Sequence, residues 1–197
     1  MSKIYHIKLP ISDQEVEQLQ TGDTVYLTGQ VCTARDMAHL RIKELLEKGS
    51  PLPVDFKGNA VFHAGPVVKK NDDKWELSVI GPTTSIRMEP HAEMMGQLGV
   101  KMIIGKGGMS SGSLAAFMKY KQVYLQAPPG CAVKLGSAVK SVIDVHWLEL
   151  GMPEAMWVLD VEEFGPFIVT MDTAGGNVHS MLREKAYEQI ESLVPSK

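Results

Sequence analysis

Three hydroxyls and an arginine follow a Gly-Pro break in Gly81-Pro82-Thr83-Thr84-Ser85-Ile86-Arg87-Met88, at the end of the apolar run Val79-Ile80. If a strand ends there and a helix begins, free backbone N–H groups point outward, the helix dipole favours negative charge, and the hydroxyls add donors. Arg87 could then offer a carboxylate a two-pronged fork. Ordinary capping fits these residue types equally well, with Thr83, Thr84 or Ser85 bonding its own backbone and Arg87 in a surface ion pair. A second turn, Ile103-Ile104-Gly105-Lys106-Gly107-Gly108-Met109, repeats the design with a lysine among glycines. There the backbone could approach an anion closely, or the lysine could simply be solvated. Val100 and Gly107 stand where a phosphate-binding loop needs Gly and Ser or Thr, so this is not a P-loop.

Arg35 and His39 lie four residues apart in a stretch without Gly or Pro from Ala34 to Lys48, and share a face if it is helical. An arginine at a helix start is electrostatically misplaced. It either pairs with Asp36 or another acid, or serves a bound anion. His39 reads as a packed or surface residue ahead of a metal ligand or proton carrier. His63, before Ala64-Gly65-Pro66, ends a strand where side chains can face a site, although packing is the simpler role. His146 sits near Asp144 and Glu149 without a nucleophile-elbow serine or a cysteine-histidine motif. Cys32 and Cys131 read as two thiols of a reducing compartment, and two cannot form a four-thiolate site within one chain.

The elements that must position these groups alternate as in an α/β domain. Strands are expected at Ile4 to Leu9 (or an extended arm), Asp23 to Val31, Ala60 to His63, Trp75 to Ile80, Lys101 to Ile104 and Val123 to Leu125. Further strands are expected at Ser141 to Trp147, Met156 to Val161 and Phe167 to Met171. Helices are expected from the Ser12/Glu15 capping box to about Leu19, over Ala34 to Lys48 with Gly49 as the stop, over Glu89 to Leu98, over Ser113 to Tyr120 and over Asn177 to Leu193. The polar stretch Lys69 to Lys74 reads as a hairpin connection. The middle of the chain has the order of parallel βαβ units.

At 197 residues, 44% of them hydrophobic, the chain fits one domain with a full core, residues 1–10 forming an N-terminal arm and 180–197 a C-terminal helix and tail. A net charge of -3 argues against nucleic acid, since there is no cationic excess to neutralise phosphates. No run of about 18 apolar residues occurs, so no membrane association is expected and a soluble, cytoplasmic protein is.

Together, His63-Ala64-Gly65-Pro66, Gly81 to Met88 and Ile104 to Met109 resemble the β-type subunit, or C-terminal-domain type, of class I iron–sulfur fumarate hydratases and L(+)-tartrate dehydratases. The likeness extends from Thr33-Ala34-Arg35-Asp36-Met37-Ala38-His39 to Glu149-Leu150-Gly151-Met152-Pro153-Glu154-Ala155 and Glu163-Phe164-Gly165-Pro166, covering roughly residues 10–180. The resemblance implies a layered, swivelling β/β/α domain and a hydro-lyase that reversibly dehydrates a 2-hydroxy dicarboxylate, either L-tartrate to oxaloacetate or malate to fumarate. It implies an α-type partner, in an α2β2 assembly, holding a four-iron, four-sulfur cluster that this chain does not bind. It also implies that Arg35, Thr83, Arg87 and Lys106 contact the substrate and that Thr83 takes part in proton transfer. An aliphatic hydroxyl is a weak base unless nearby cations lower its pKa, so hydrogen bonding alone is the other role for Thr83. The alternative for the whole chain is a stand-alone small-anion module without catalysis; a nucleotide binder is disfavoured by the missing P-loop.

Overall fold

The computed structural model describes residues 2–72 and 74–193, so Asp73 of the expected hairpin connection and residues 194–197 of the expected tail lie outside the described residues. In chain order the elements are β1 (Ile4–Lys8), α1 (Asp13–Val16), β2 (Thr24–Thr33), α2 (Asp36–Glu47), β3 (Ala60–Phe62), β4 (Ala64–Asn71) and β5 (Lys74–Pro82). A 3₁₀ segment at Ser85–His91 leads into α3 (Ala92–Gln97), followed by β6 (Met102–Gly105), α4 (Ser111–Tyr120), β7 (Val123–Gln126), α5 (Ala132–Ser137), β8 (Val139–His146), β9 (Met156–Met171) and α6 (Val178–Leu193).

β1, β2, β3, β6 and β7 are neighbours in that order, and each pairing is parallel, as the alternating pattern predicts. The long strand β9 then pairs antiparallel with both β7 and β2, which closes β2, β3, β6, β7 and β9 into a barrel-like circuit. β8 adds to the first half of β9. The fold is therefore mixed α/β.

These central strands bury both faces, which is why they read as unbroken apolar runs. In β3, Ala60 and Phe62 face one core and Val61 the other; in β6, Met102 and Ile104 oppose Ile103. The first core includes Phe62, Phe164 and Phe167, packed edge to face with centroids 5.2 to 6.3 Å apart. The second combines Val61, Ile103 and Tyr124 with Ala38 and Ile42 of α2, Met95 of α3 and Phe117 of α4. With Ile42, Met95 and Phe117 wholly or almost wholly buried, burial at about 1.5–3 kcal/mol per large side chain holds the helices to the sheet.

Several expectations are corrected. The stretch from Lys69 is not a loop: β4 continues to Asn71 and the chain reverses at Asp72, whose φ is 52°. The β4–β5 hairpin is a separate two-stranded sheet, and its outer half carries lysines because it is solvated. Met156 to Met171 is one strand rather than two, since Glu163 and Gly165 take positive φ within it and its pairing with β2 absorbs the irregularity as register shifts. Helix α5 was not expected; it packs on β5 at Gly136, where a Cβ would stand 2.8 Å from the Ser78 carbonyl oxygen. The first long helix starts at Asp36, leaving Arg35 extended at the N-cap. The terminal helix α6 leaves Met181, Leu182 and Tyr187 exposed. Among the described residues no helix is long and apolar enough to cross a membrane.

Candidate functional site

Carboxyl ends of parallel strands are where α/β sheets bind ligands, and the candidate residues gather there. Arg35 follows the end of β2, His63 that of β3 and Lys106 that of β6. Thr83, just past β5, is brought to the same rim by backbone bonds: its N–H donates to the His63 carbonyl (2.7 Å), and its carbonyl accepts from the Lys106 N–H (3.4 Å). Ser85 N–H donates to the Lys106 carbonyl (3.1 Å), and Thr84 and Lys106 form a short parallel bridge. The two turns singled out in the sequence are thus stitched together.

Both arginines are held by acids. Arg87 grips Asp36 with two bonds, Nη2 to Oδ2 at 2.5 Å and Nε to Oδ1 at 3.2 Å. Burial works to raise the Asp36 pKa, but the Arg87 hydrogen bond and charge outweigh it and hold the carboxyl below its ordinary range. Arg35 pairs not with its neighbour Asp36 but with Glu154, Nη2 to Oε1 at 3.1 Å, and Glu154 also accepts the Met37 N–H at the start of α2 (3.0 Å). Among the described residues Arg35 Nε is buried without an acceptor, an uncommon state for a charged donor. Asp36 therefore links the Arg35 corner to the Arg87 turn.

The hydroxyls do not cap. Thr84 occupies the N-cap without a side-chain cap bond, and neither Thr83 nor Thr84 makes a side-chain hydrogen bond among the described residues. In place of the expected α-helix, a seven-residue 3₁₀ segment starts at Ser85, so the dipole contribution is small. Thr84 and Lys106 line a cleft of about 560 Å³ with Pro82, Gly107, Gln126 and Cys131. Thr83, half-buried, lies outside that lining, as do Arg35 and Arg87.

Beneath the rim lie histidines. His39 is fully buried and donates from Nδ1 to the Arg35 carbonyl (2.8 Å), with His91 stacked at 5.1 Å and His63 edge-on at 5.4 Å. Burial lowers the His39 pKa to about 4, and burial followed by the neighbouring His39 and His91 pushes His63 well below its ordinary value. Both are buried neutral rings, and their tautomers are set by their partners. Because the unfolded chain binds protons near pH 6.5 that the folded rings refuse, stability falls as pH drops below 6.5 and continues to fall toward pH 4. His39 alone contributes about 3 kcal/mol to that loss. Urea melts at pH 7.5 and 5.0 check it; an unchanged midpoint contradicts it. His146, at the end of β8, pairs with Asp144 (3.4 Å) and takes no part in this group.

Glu89 clamps the second turn. From the 3₁₀ segment its carboxylate accepts the N–H groups of Ser110 (2.9 Å) and Ser113 (3.1 Å), the Ser113 hydroxyl (2.6 Å) and the Ser110 hydroxyl, capping α4. Burial alone would raise its pKa; the Ser110 and Ser113 bonds outweigh it and hold the carboxylate ionised. Glu89→Ala is expected to lower stability by about 1–3 kcal/mol, read by thermal unfolding; a change within about 0.5 kcal/mol, as at ordinary surface sites, contradicts the clamp.

The cysteines do not fit an iron–sulfur cluster. Cys32 is sealed in the core, where burial pushes its thiol up to about 11, and Cys131 lies apart at the cleft. Among the described residues no group of three or more His, Cys, Asp or Glu side chains could hold a metal ion.

With the two turns joined and the cations placed, comparison with known proteins is informative. A model of the family described as "Fumarase C-terminus" matches residues 2–182. The chain belongs to that family. It is similar to "L(+)-tartrate dehydratase subunit beta" of Escherichia coli, 46% identical over 179 residues, covering 90% of this chain and 87% of that one. It is similar to "Putative L(+)-tartrate dehydratase subunit beta" of Methanocaldococcus jannaschii, 45% identical over 186 residues, 93% and 95% of the two chains. It is also 36% identical over 190 residues to "Putative fumarate hydratase class I" of Geobacillus stearothermophilus, covering 95% of this chain and 36% of that protein. The family resemblance read from the motifs is borne out.

Residue-level reading missed three partners. Glu154 stands within a quoted motif, yet nothing local points it at Arg35 across 119 positions. Glu89 carried no local signal either, standing 21 and 24 positions before the Ser110 and Ser113 groups that it holds. Tyr124 reads only as part of an apolar strand.

Proposed function

We propose that this chain, the beta-type subunit of a hydro-lyase, binds a 2-hydroxy dicarboxylate at the rim formed by Arg35, Thr83, Arg87 and Lys106. Its beta-type hydro-lyase character follows from its family and its relatives' names. The observation that best supports the placement is Arg35: a buried Nε without an acceptor among the described residues, on a guanidinium otherwise neutralised by Glu154, is a donor that a substrate carboxylate would satisfy.

Removing water from such a substrate takes a hydroxyl from one carbon and a weakly acidic proton from the next. As the proton leaves, negative charge grows on the adjacent carboxylate. Arg35 and Arg87 would stabilise it by charge-assisted bonds, and Lys106 would act as a compact point charge at the cleft. Thr83 would donate to the substrate or move its proton, helped by these cations. Departure of the hydroxyl is assigned to an alpha-type partner that holds the four-iron, four-sulfur cluster, because this chain's thiols do not fit one. An α2β2 assembly, a swivelling closure of this chain over the substrate and a cytoplasmic location complete the proposal.

Co-expression with an alpha-type partner, followed by assay on L-tartrate and malate, tests it. Dehydration of one of them by the complex is expected; failure with both contradicts it.

A further inference from the structure

One buried hydroxyl ties three elements together. Ser85 is fully buried, its Oγ 2.9 Å from both His63 Nδ1 and the Tyr124 hydroxyl. Donor counting orients the chain. The Tyr124 O–H donates to Ser85, whose single proton then goes to Nδ1 of the neutral His63 ring, leaving Nε2 protonated. In the reverse direction the Tyr124 proton would have no acceptor among the described residues. His63 directly follows β3, Tyr124 lies in β7, and Ser85 opens the 3₁₀ segment two residues after Thr83. Ser85 Oγ also fills the space over Gly105, where a Cβ would stand 1.8 Å from it and 3.0 Å from the Tyr124 oxygen. Gly105 directly precedes Lys106, whose carbonyl accepts the Ser85 N–H.

We propose that the buried His63–Ser85–Tyr124 triad is a positioning device for the reaction, fixing Lys106 and Thr83 relative to each other without touching substrate. The proposal rests on the placement of Lys106 at the substrate. A hydroxyl of a turn is free to face solvent, as Thr84 does; this one is desolvated and locked on both sides. A side chain misplaced by about 1 Å can lose on the order of 10²-fold in rate, so the lock matters at that scale.

The test is a double-mutant cycle on the complex of this chain with its alpha-type partner, reading kcat/KM. Lys106→Ala alone is expected to lower it about 100-fold. Ser85→Ala and Tyr124→Phe are each expected to lower it about tenfold or more in the native background, and by less than about twofold when Lys106→Ala is already present. Tyr124→Phe keeps the ring packing and serves if Ser85→Ala does not assemble. Equal losses in both backgrounds mean a general structural role and overturn the proposal while leaving the substrate site intact. A Lys106→Ala variant with native kcat/KM overturns the site itself, and the triad's role with it.

Discussion

Arg35→Ala is expected to reduce kcat/KM for dicarboxylate dehydration by about 10²–10³-fold in the complex with an alpha-type partner, the range found when one preorganised donor to a developing oxyanion is removed. The loss has two sources. The guanidinium is anchored on Glu154 at 3.1 Å while its Nε is buried and unpaired among the described residues, so its donor is already desolvated before any ligand arrives. Removing it also leaves Glu154 with only the Met37 N–H among its described partners. Arg35→Lys is not expected to restore activity, because a lysine offers a point charge and no second prong, and has no Nε at the buried position. Steady-state kinetics beside thermal unfolding separate the two sources: Arg35→Lys should recover stability more than rate. Near-native kcat/KM for Arg35→Lys would contradict the two-pronged role.

The second large effect comes from a single methyl group. Gly105→Ala places a Cβ 1.8 Å from Ser85 Oγ, in a wholly buried corner that also holds the Tyr124 hydroxyl at 3.0 Å. Such overpacking typically costs about 1–3 kcal/mol, and here it also expels the hydroxyl that ties the turns together. Loss of stability at the upper end of that range is expected, with activity lost alongside it. Gly107→Ala is the control. Gly107 has a φ of 78° and open space around its missing Cβ, so only the left-handed backbone strain remains, about 1 kcal/mol. Equal effects at the two glycines, measured by denaturant melts, would contradict the packing account.

The periodicity of the middle strands was legible because burial on both faces leaves apolar runs, as in Met102 to Gly105, and because their parallel order follows from intervening helices. Closure of the sheet was not. It depends on β9, whose continuity across Glu163, Gly165 and Pro166 is a tertiary effect: pairing with β2 on one side and with β7 and β8 on the other holds residues that alone read as a break. Helix α5 escaped for a similar reason, being six residues long and dependent on Gly136 lying against β5. At the site, the residue types that handle anions were readable from Arg35, Arg87 and Lys106. Their present partners were not, since Asp36 takes Arg87 rather than its neighbour and Arg35 goes to Glu154. The hydroxyls illustrate the same limit: three in a row look alike, yet the fold buries Ser85, half-buries Thr83 and exposes Thr84 at the cleft. Only packing distinguishes them.

The central claim is that this chain supplies half of a dicarboxylate site, completed by a partner. Titration calorimetry with L-tartrate and malate, on the isolated chain and on its complex with an alpha-type partner, tests it most directly. No measurable heat at millimolar ligand is predicted for the isolated chain, where Asp36 and Glu154 neutralise the arginines, and saturable binding of one ligand is predicted for the complex. Binding to the isolated chain as tight as to the complex would contradict the account.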